Sequence, residues 1–402
     1  MEYKEKFANF TQLINRAVRK YGDQDALRIR KGAGFRSISF STLAGHTFDL
    51  AASLTHRGYT EGAKLAVLGE NSYGWILSYL GTVVTGATIV PLDKELSDSE
   101  IQGLVEQSGV SAIFCSEDYM DVFEGYDLKI PMFVIGSTEL HVGATPIEEL
   151  VAQGASLRES DPCYGQGETT SDKVSTIVFT SGTTGFSKGV MLTRSNLLSN
   201  VQICFELAPL SGTNFTVLPF NHTYELTLGV LYSMLHQGIA LALNNSVKNF
   251  AQNMKMFKPD TMLIVPLIAE NMMKNVWATI EQQGKMGKVR FAMKLGRFLH
   301  SIGIDVRRRL FAPIHEAFGG QLKDIFVGGA HMNASVAKDF HDIGINVNIG
   351  YGITECSPLI GGNVMHKRGM YHSCGFAVPY TELILDNPNE EGDGEILARG
   401  PS

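Results

Sequence analysis

Runs of consecutive apolar residues recur along the chain, separated by turn residues and by segments with helical spacing of apolar positions. Consecutive apolar positions are typical of strands that are buried on both faces of a sheet. We predict strands in eight segments: KLAVLGE from Lys64, ATIVPLD from Ala87, VSAIFCS from Val110, PMFVIG from Pro131, STIVFTSG from Ser175, FTVLPF from Phe215, TMLIVP from Thr261 and DIFVGGA from Asp324. The alternation of strands and helices predicts an α/β protein with mostly parallel, doubly wound sheets.

Several helices have recognisable first residues. Ser97-x-x-Glu100 matches a capping box. In a capping box the serine side chain accepts a hydrogen bond from the backbone amide of the glutamate, and the glutamate side chain accepts one from the backbone amide of the serine. Asn71 and Thr193 are the predicted N-caps of the segments that follow them. The uncharged stretch between Glu70 and Asp93 contains glycines, a proline and hydroxyl residues, so we expect a buried helix and a buried strand instead of a membrane span.

The pattern changes after about Gly375. ELILD, NPNEEGDG and EILARG predict a β-hairpin with an acidic loop. We therefore expect two doubly wound α/β subdomains, residues 1–190 and 191–370, and the start of a small β-barrel-like subdomain over residues 371–402. The sequence stops directly after the second hairpin strand, and we interpret it as a fragment of a longer protein.

Composition narrows the class of protein and of partner. The chain has 402 residues, of which 44% are hydrophobic and 19% charged, values typical of a soluble globular protein. The net charge is −7, and we find no basic run that would neutralise a phosphate backbone, so nucleic acid is not the expected partner. Five widely separated cysteines without zinc-site spacing, and an N-terminus without a signal peptide, indicate reduced thiols and a cytoplasmic location.

The segment FTSGTTGFSKGV, from Phe179 to Val190, combines glycines, hydroxyls and a lysine directly after an apolar strand. Glycines allow backbone amides to approach an anion closely, and short hydroxyl side chains add donors. Lys188 adds a compact positive charge. The segment therefore predicts a loop that binds a polyphosphate.

Two common phosphate loops are excluded by spacing. A Walker A motif fails because Ser187 precedes Lys188 and Gly189 follows it. A dinucleotide-binding G-x-G-x-x-G would need glycine at Thr170, and no strand precedes that stretch. A flexible hinge would explain the glycines but not the lysine.

TSGTTG-x-x-KG resembles the phosphate-loop signature of the adenylate-forming enzymes, which include acyl-CoA synthetases, peptide-synthetase adenylation domains and beetle luciferases. Further segments are similar to the family's in the same order along nearly the whole chain: GATIVPLD from Gly86, LPFNHTYE from Leu218, FVGGA from Phe326, GYGITECSP from Gly350 and GEILARGP near the end. The forms of these motifs in this sequence, LPFNHTYE and GYGITECSP above all, look most like those of medium- to long-chain fatty acyl-CoA synthetases. The matched segments belong to the large N-terminal domain of those enzymes.

The resemblance implies roles for individual residues. Those expected to hold the β- and γ-phosphates of ATP are Thr180, Ser181, Gly182, Thr183, Thr184, Gly185 and Lys188. Those expected around the adenine are Gly329, Ala330, Tyr351 and Gly352, with the tyrosine ring stacked on the base. The expected catalytic residues are Lys188, His222, Thr354 and Glu355. Thr354 is expected to contact the α-phosphate, Glu355 to bind Mg²⁺ and His222 to lie beside the acyl carboxylate.

The sequence departs from the family pattern at one position of the loop. Ser187 stands where many family members have proline before the loop lysine. Because proline there would only stiffen the loop, we expect looser closure over the phosphates without loss of function.

The implied reaction uses ATP, Mg²⁺ and coenzyme A with a fatty acid. The carboxylate attacks the α-phosphorus to give an acyl-adenylate and pyrophosphate, and the thiol of coenzyme A then displaces AMP. In the family, an aspartate that binds the ribose, a hinge and a C-terminal lid with a catalytic lysine all follow GEILARGP. With this C-terminal domain as a missing partner, we expect weak nucleotide binding and slow adenylation at most.

Several alternatives stay open at this point. The chain could be a synthetase for short or aromatic acids, an acyl-carrier-protein ligase, a luciferase-like oxygenase or a non-catalytic nucleotide sensor. The helix LTLGVLYSML after His222 could line an acyl channel or belong to the core. The acid, the thiol acceptor, a homodimer and peripheral contact with the inner face of the membrane are not decided by the sequence.

Overall fold

A computed structural model describes residues 5–127, 129–136, 143–168, 172–180, 187–207, 210–244, 247–363 and 370–402. Its strands are β1 (Asp25–Lys31), β2 (Gly34–Ser39), β3 (Lys64–Leu68), β4 (Thr88–Pro91), β5 (Ala112–Ser116), β6 (Met132–Ile135), β7 (Ala144–Pro146), β8 (Val174–Thr180), β9 (Lys188–Thr193), β10 (Thr213–Thr216), β11 (Ala240–Leu243), β12 (Thr261–Ile264), β13 (Asp324–Val327), β14 (Asn346–Gly352), β15 (Leu359–Asn363), β16 (Phe376–Ala377), β17 (Glu382–Asp386) and β18 (Glu395–Arg399).

The α-helices are α1 (Phe10–Tyr21), α2 (Phe40–His56), α3 (Tyr73–Val84), α4 (Asp98–Ser108), α5 (Ile147–Arg158), α6 (Arg194–Leu207), α7 (Phe250–Phe257), α8 (Pro266–Gln282), α9 (Met286–Ser301), α10 (Arg307–Leu310), α11 (Ala312–Ala317) and α12 (Ala334–Asp342). A π-helix spans Glu225–His236, and short 3₁₀ segments span Glu117–Phe123, Val247–Asn249 and Thr354–Cys356.

Two large sheets organise the described part of the chain. One has the order β7-β6-β5-β3-β4-β8-β9, in which only the β8–β9 pair is antiparallel. The other has the order β16-β15-β14-β13-β12-β10-β11-β1-β2, with six parallel strands from β14 to β1 and antiparallel strands at both edges. All eight predicted buried strands are present, so the predicted α/β architecture with mostly parallel sheets is confirmed.

The main core lies between the two sheets. It joins apolar residues of β3 and β4 from one sheet with residues of β1 and β11 from the other, together with helices α1, α2, α3, α6 and the π-helix. A second cluster packs α7, α8, α11 and α12 against the outer face of the larger sheet. Strands β1 and β2 belong to this larger sheet although they precede residue 190, and the subdomain boundaries near residues 190 and 370 remain predictions.

The predicted helix starts meet different outcomes. Glu100 accepts a hydrogen bond from the Ser97 amide at 2.9 Å, and the capping box is present. The Thr193 hydroxyl accepts from the Asn196 amide at 3.1 Å, which confirms Thr193 as an N-cap. The prediction for Asn71 was wrong, because Ser72 caps α3 by accepting from the Trp75 amide at 3.1 Å.

The remaining fold predictions concern two segments. The uncharged stretch after Glu70 forms the buried helix α3 and the buried strand β4, as expected. The predicted C-terminal hairpin is present as the antiparallel pair β17–β18. In the part of the chain that the structure describes, no helix combines the length and apolar character needed to cross a bilayer.

Candidate functional site

The predicted phosphate loop connects β8 to β9. These strands pair antiparallel, and Thr180 faces Lys188 as the last pair before the loop. Thr180 is partly buried and Lys188 is exposed. The predicted phosphate-binding residues Ser181, Gly182, Thr183, Thr184 and Gly185 lie outside the described residues. The described ends of the hairpin, Thr180 and Lys188, lie at the carboxyl edge of the parallel strands, where ligands of α/β sheets bind.

The turn between β14 and β15 carries the predicted residues Thr354 and Glu355. Both lie in the 3₁₀ segment Thr354–Cys356, where Thr354 is partly buried and Glu355 is exposed. The Glu355 carboxylate has no hydrogen-bond or ion-pair partner among the described residues. Gly352 begins the turn, and a side chain there would collide with the Pro358 carbonyl oxygen, so the backbone requires glycine at this position.

The Asn200 side chain of α6 holds the backbone of this turn through hydrogen bonds. This role of Asn200 was not predicted. Its side-chain amide donates to the carbonyl oxygens of Cys356 at 3.2 Å and Leu359 at 3.0 Å. Its side-chain oxygen accepts from the Leu359 amide at 3.3 Å. Strand β9 lies against the same turn and leads directly into α6, so Lys188 and the Thr354–Glu355 pair are on neighbouring elements.

The predicted adenine residues lie at the ends of two adjacent parallel strands. Val327 of β13 pairs with Ile349 of β14. Gly329 lies two residues after Val327, and Tyr351 lies two residues after Ile349. Gly329 has φ +83°, a left-handed conformation that favours glycine. Gly329 and Ala330 are exposed, and Tyr351 is partly buried. The structure therefore brings these three residues to one edge of the sheet.

An apolar pocket lies beside these strand ends. Its walls come from α6, the π-helix and strands β12 to β15: Cys204, Leu207, Leu210, Tyr224, Leu228, Tyr232, Leu263, Phe326, Asn348, Ile349, Gly350, Leu359 and Gly362. The open volume is about 40 Å³, enough for only about three water molecules. A long acyl chain could therefore enter only if wall side chains moved.

The helix after His222 contributes both to the apolar pocket and to the core, and its role in an acyl channel stays a prediction. Leu228 and Tyr232 line the pocket and also belong to the core between the sheets, whereas Leu231 belongs to that core without lining the pocket. Burial raises the pKa of the Cys204 thiol to about 12, so Cys204 is a neutral part of the wall and not a nucleophile. His222 is exposed, precedes the π-helix and is not one of the lining residues.

Two side chains around the His222 turn were not predicted. The Asn71 side-chain amide donates to the Leu218 carbonyl oxygen at 2.7 Å, and the Asn71 oxygen accepts from the Phe220 amide at 2.9 Å, so Asn71 fixes the turn. Glu225 is completely buried, and neither carboxylate oxygen has a hydrogen bond of ordinary geometry among the described residues. Burial raises the pKa of Glu225 well above its usual value, and the nearby Thr216 hydroxyl offsets part of that rise.

A divalent metal at this site would need further ligands in addition to protein side chains. Among the described residues, no group of three or more His, Cys, Asp and Glu side chains is placed to hold a metal ion. Glu355 offers one exposed carboxylate. This arrangement fits Mg²⁺, which keeps several waters and usually binds through one or two carboxylates and the phosphates of a substrate.

Comparison with known families and proteins gives consistent matches. A family model described as "AMP-binding enzyme" matches residues 14–402. Fatty acyl-CoA synthetase B of Dictyostelium discoideum is 22% identical and aligns with 100% of this chain and 65% of its own length. The chloroplastic long-chain-fatty-acid–[acyl-carrier-protein] ligase AEE15 of Arabidopsis thaliana is 25% identical over 96% of this chain and 61% of its own. The chain thus spans less than two thirds of the length of these relatives.

Solved structures show the same fold. A long-chain-fatty-acid-CoA ligase, FadD1 of Archaeoglobus fulgidus, superposes with a TM-score of 0.75 at 19% identity, covering 100% of this chain and 78% of that one. The anthranilate CoA ligase AuaEII in complex with anthranoyl-AMP gives a TM-score of 0.73 at 16% identity, covering 98% and 69%. At these identities the likeness extends to the fold alone.

Proposed function

The chain belongs to the AMP-binding enzyme family, and on this premise we propose that it activates a fatty acid with MgATP and transfers the acyl group to coenzyme A. The observation that carries the choice of acid is the apolar pocket bounded by Tyr224, Leu228 and Tyr232. It adjoins the strand ends that carry Gly329 and Tyr351. The names of the relatives, ligases of fatty acids with coenzyme A or an acyl-carrier protein, support the same class of substrate.

We assign the nucleotide to the edge of the sheet next to this pocket. Lys188 and the loop before it would neutralise the β- and γ-phosphates, and Thr354 would donate to the α-phosphate. Gly329, Ala330 and Tyr351 would enclose the adenine. Glu355 would hold Mg²⁺, which supplies positive charge against the phosphate oxygens.

The chemistry then requires alignment more than a protein nucleophile. A carboxylate oxygen of the fatty acid forms a bond to the α-phosphorus, and the bond from that phosphorus to the bridging oxygen of pyrophosphate breaks. In the second half, the sulfur of coenzyme A bonds to the acyl carbon, its proton leaves to solvent or a base, and AMP departs with the bond electrons. We propose that His222 contacts the acyl carboxylate during the first half, because its turn leads into the pocket helix.

The test measures which acyl chains the pocket accepts. We would titrate the chain with AMP and with AMP alkyl esters of increasing chain length, and we expect long alkyl esters to bind tighter than AMP. Leu228→Phe should weaken binding of the longest ester about tenfold or more while leaving AMP binding unchanged, because the added ring fills the pocket. Esters that bind no tighter than AMP would exclude the pocket as an acyl site.

Two further variants complete this experiment. Leu231→Phe is the matched control, because Leu231 lies on the same helix but packs in the core, and it should change stability without changing the order of the esters. Glu355→Gln separates an enzyme from a nucleotide sensor. In pyrophosphate exchange with a fatty acid, an adenylating enzyme should lose most of its rate, whereas a sensor would show no exchange in either form and unchanged AMP binding.

A further inference from the structure

Helix α9 presents two opposite faces of different character. Met293 and Gly296 are buried against the rest of the protein. On the other side, Phe291 is 68% exposed, Leu295 37% and Phe298 62%. These three positions are separated by four and three residues, so their side chains form one stripe along the helix. Such a concentration of exposed large apolar residues is unusual for a surface that faces only water.

The stripe continues past the end of the helix. Ile302, the C-cap residue, is 58% exposed, and Ile304 is 50% exposed. We call Phe291, Leu295, Phe298 and Ile302 the α9 stripe. Three of its four residues are more than half exposed, and Leu295 is 37% exposed.

The charge around the α9 stripe is mainly positive, although Arg297 of the helix pairs with the buried Asp342 at 3.5 Å. Residues 285–310 contain eight Lys and Arg residues and one acidic residue, Asp305, in a chain whose net charge is −7. Lys288 and Lys294 lie three residues before and after Phe291, so they flank the stripe on its two sides, and both are exposed. Neither has an ion-pair partner among the described residues. This basic segment was not predicted, because apolar residues separate its charges along the sequence.

We infer that the α9 stripe binds the surface of an anionic lipid bilayer. A helix with an outward apolar face flanked by lysines lies in the plane of the interface, with its aromatic and aliphatic side chains in the acyl boundary. The flanking lysines extend their alkyl chains along the apolar surface and place their charges among the headgroups. The opposite face, with Met293 and Gly296, keeps the helix attached to the protein. This inference does not depend on the proposed reaction.

The charges favour a bilayer over a second copy of the chain. A two-fold dimer formed through the α9 stripe would bring the same basic flanks of both copies together, because such an interface uses the same surface twice. Segment 285–310 offers only Asp305 as a balancing charge, and Asp305 already bonds Arg307 at 2.7 Å. Anionic headgroups supply the missing negative charge.

The test is sedimentation of the chain with sucrose-loaded vesicles of phosphatidylcholine alone or mixed equally with phosphatidylglycerol, without fatty acid or nucleotide. We expect binding to the anionic vesicles only. The double variant Phe291→Gln, Phe298→Gln should lower the partition coefficient at least about tenfold, because two exposed phenyl groups leave the interface. Lys288→Gln with Lys294→Gln should lower it by about fivefold per lysine at low salt and much less at high salt.

Ile384→Gln is the matched control, because Ile384 is 62% exposed on β17 and lies outside the stripe. It should leave vesicle binding unchanged. Circular dichroism and AMP binding establish that each variant is folded, which separates this test from that of the proposed reaction. Equal binding of wild type and the phenylalanine double variant would overturn the inference, as would no binding to anionic vesicles. A concentration-dependent dimer that the double variant abolishes would assign the stripe to a second copy instead.

Discussion

Two completely buried glutamates illustrate two different uses of a carboxyl group in this molecule. Glu168 accepts from the backbone amides of Phe10 and Thr11, each at 3.0 Å, and from the Thr11 hydroxyl at 3.2 Å. Its carboxylate also lies 3.1 Å from Nε of Arg194, which is itself fully buried. Glu225 is equally buried but has none of these partners.

The surroundings of Glu168 are architectural. Its bonds to Phe10 and Thr11 hold the first turn of α1, and Arg194 is the first residue of α6. Arg194 also donates to the Gly86 carbonyl oxygen at 2.7 Å, in the turn between α3 and β4. Burial raises the pKa of Glu168 to about 7, and the amides and Arg194 offset part of that rise. This pair joins three separate segments of the chain.

The surroundings of Glu225 belong to the candidate site. It is the first residue of the π-helix, and its neighbour Tyr224 forms part of the pocket wall. A π-helix is rare and is often found at functional sites, and a buried polar group without a partner costs stability. The two residues therefore differ in their surroundings. The buried carboxylate of Glu168, which joins separate segments, has hydrogen-bond and ion-pair partners. The buried carboxyl group of Glu225, which lies where a ligand is expected to bind, lacks a hydrogen bond of ordinary geometry.

The largest effect should come from removing the partner of Glu168. Arg194→Met leaves a buried carboxylate without its cation, and we expect the free energy of unfolding to fall by about 3–5 kcal/mol in urea titrations. Lys323→Met is the control, because Lys323 pairs with Asp260 at 3.0 Å but is half exposed, and it should cost at most about 1 kcal/mol. Similar losses in both variants would remove the basis of the comparison.

The sequence predicted the fold where each strand could be read by itself. The eight predicted strands are continuous apolar runs, because nearly all of them pair on both sides within parallel sheets. The edge strand β2, GFRSIS, was missed because its side chains are largely exposed and it has no apolar run. For the π-helix, the sequence predicted an apolar helix but not the π form, because the choice between α- and π-type hydrogen bonding depends on packing against the rest of the core.

The candidate site could be predicted from the sequence where it rests on a local motif. Lys188, Thr354 and Glu355 could be named because they lie in short signatures. Asn200 could not, because the carbonyl groups that it binds lie 156 and 159 residues away along the chain. Glu225 lies inside a quoted motif, yet only the folded structure shows that its carboxyl group is buried with no hydrogen bond of ordinary geometry among the described residues, and with only the nearby Thr216 hydroxyl to offset part of the rise in its pKa.

The second effect separates the two glutamates by the sign of the stability change that a Gln substitution causes near pH 8, because the folded pKa of both is raised and both make stability fall with rising pH. The folded pKa of Glu225 is raised, so the folded chain keeps a proton that the unfolded chain loses above about pH 4.5, and stability falls as pH rises from there towards the folded pKa. The slope is at most about 1.4 kcal/mol per pH unit. Glu225→Gln should remove the Glu225 contribution to this slope, leaving that of Glu168, and raise the free energy of unfolding by about 1–3 kcal/mol near pH 8.

Glu168→Gln supplies the opposite result in the same urea titrations. It removes the negative charge that Arg194 faces, so we expect a loss of stability near pH 8 where Glu225→Gln gives a gain. If Glu225→Gln left the pH slope unchanged, the carboxyl group would have a partner in solution and the two glutamates would not differ in kind.

The smallest effect tests how much the Thr11 hydroxyl contributes to the hydrogen bonds that the Glu168 carboxylate accepts. Thr11→Val removes the hydroxyl that donates at 3.2 Å but keeps the backbone amide that donates at 3.0 Å, and valine nearly preserves the side-chain shape. We expect the free energy of unfolding to fall by about 1 kcal/mol, the usual worth of one hydrogen bond. Thr42→Val is the matched control, because Thr42 is exposed and, among the residues that the structure describes, its hydroxyl bonds only the Ser39 hydroxyl, at 3.0 Å. A loss no larger than that of the control would mean that Arg194 and two amides satisfy Glu168 without the hydroxyl.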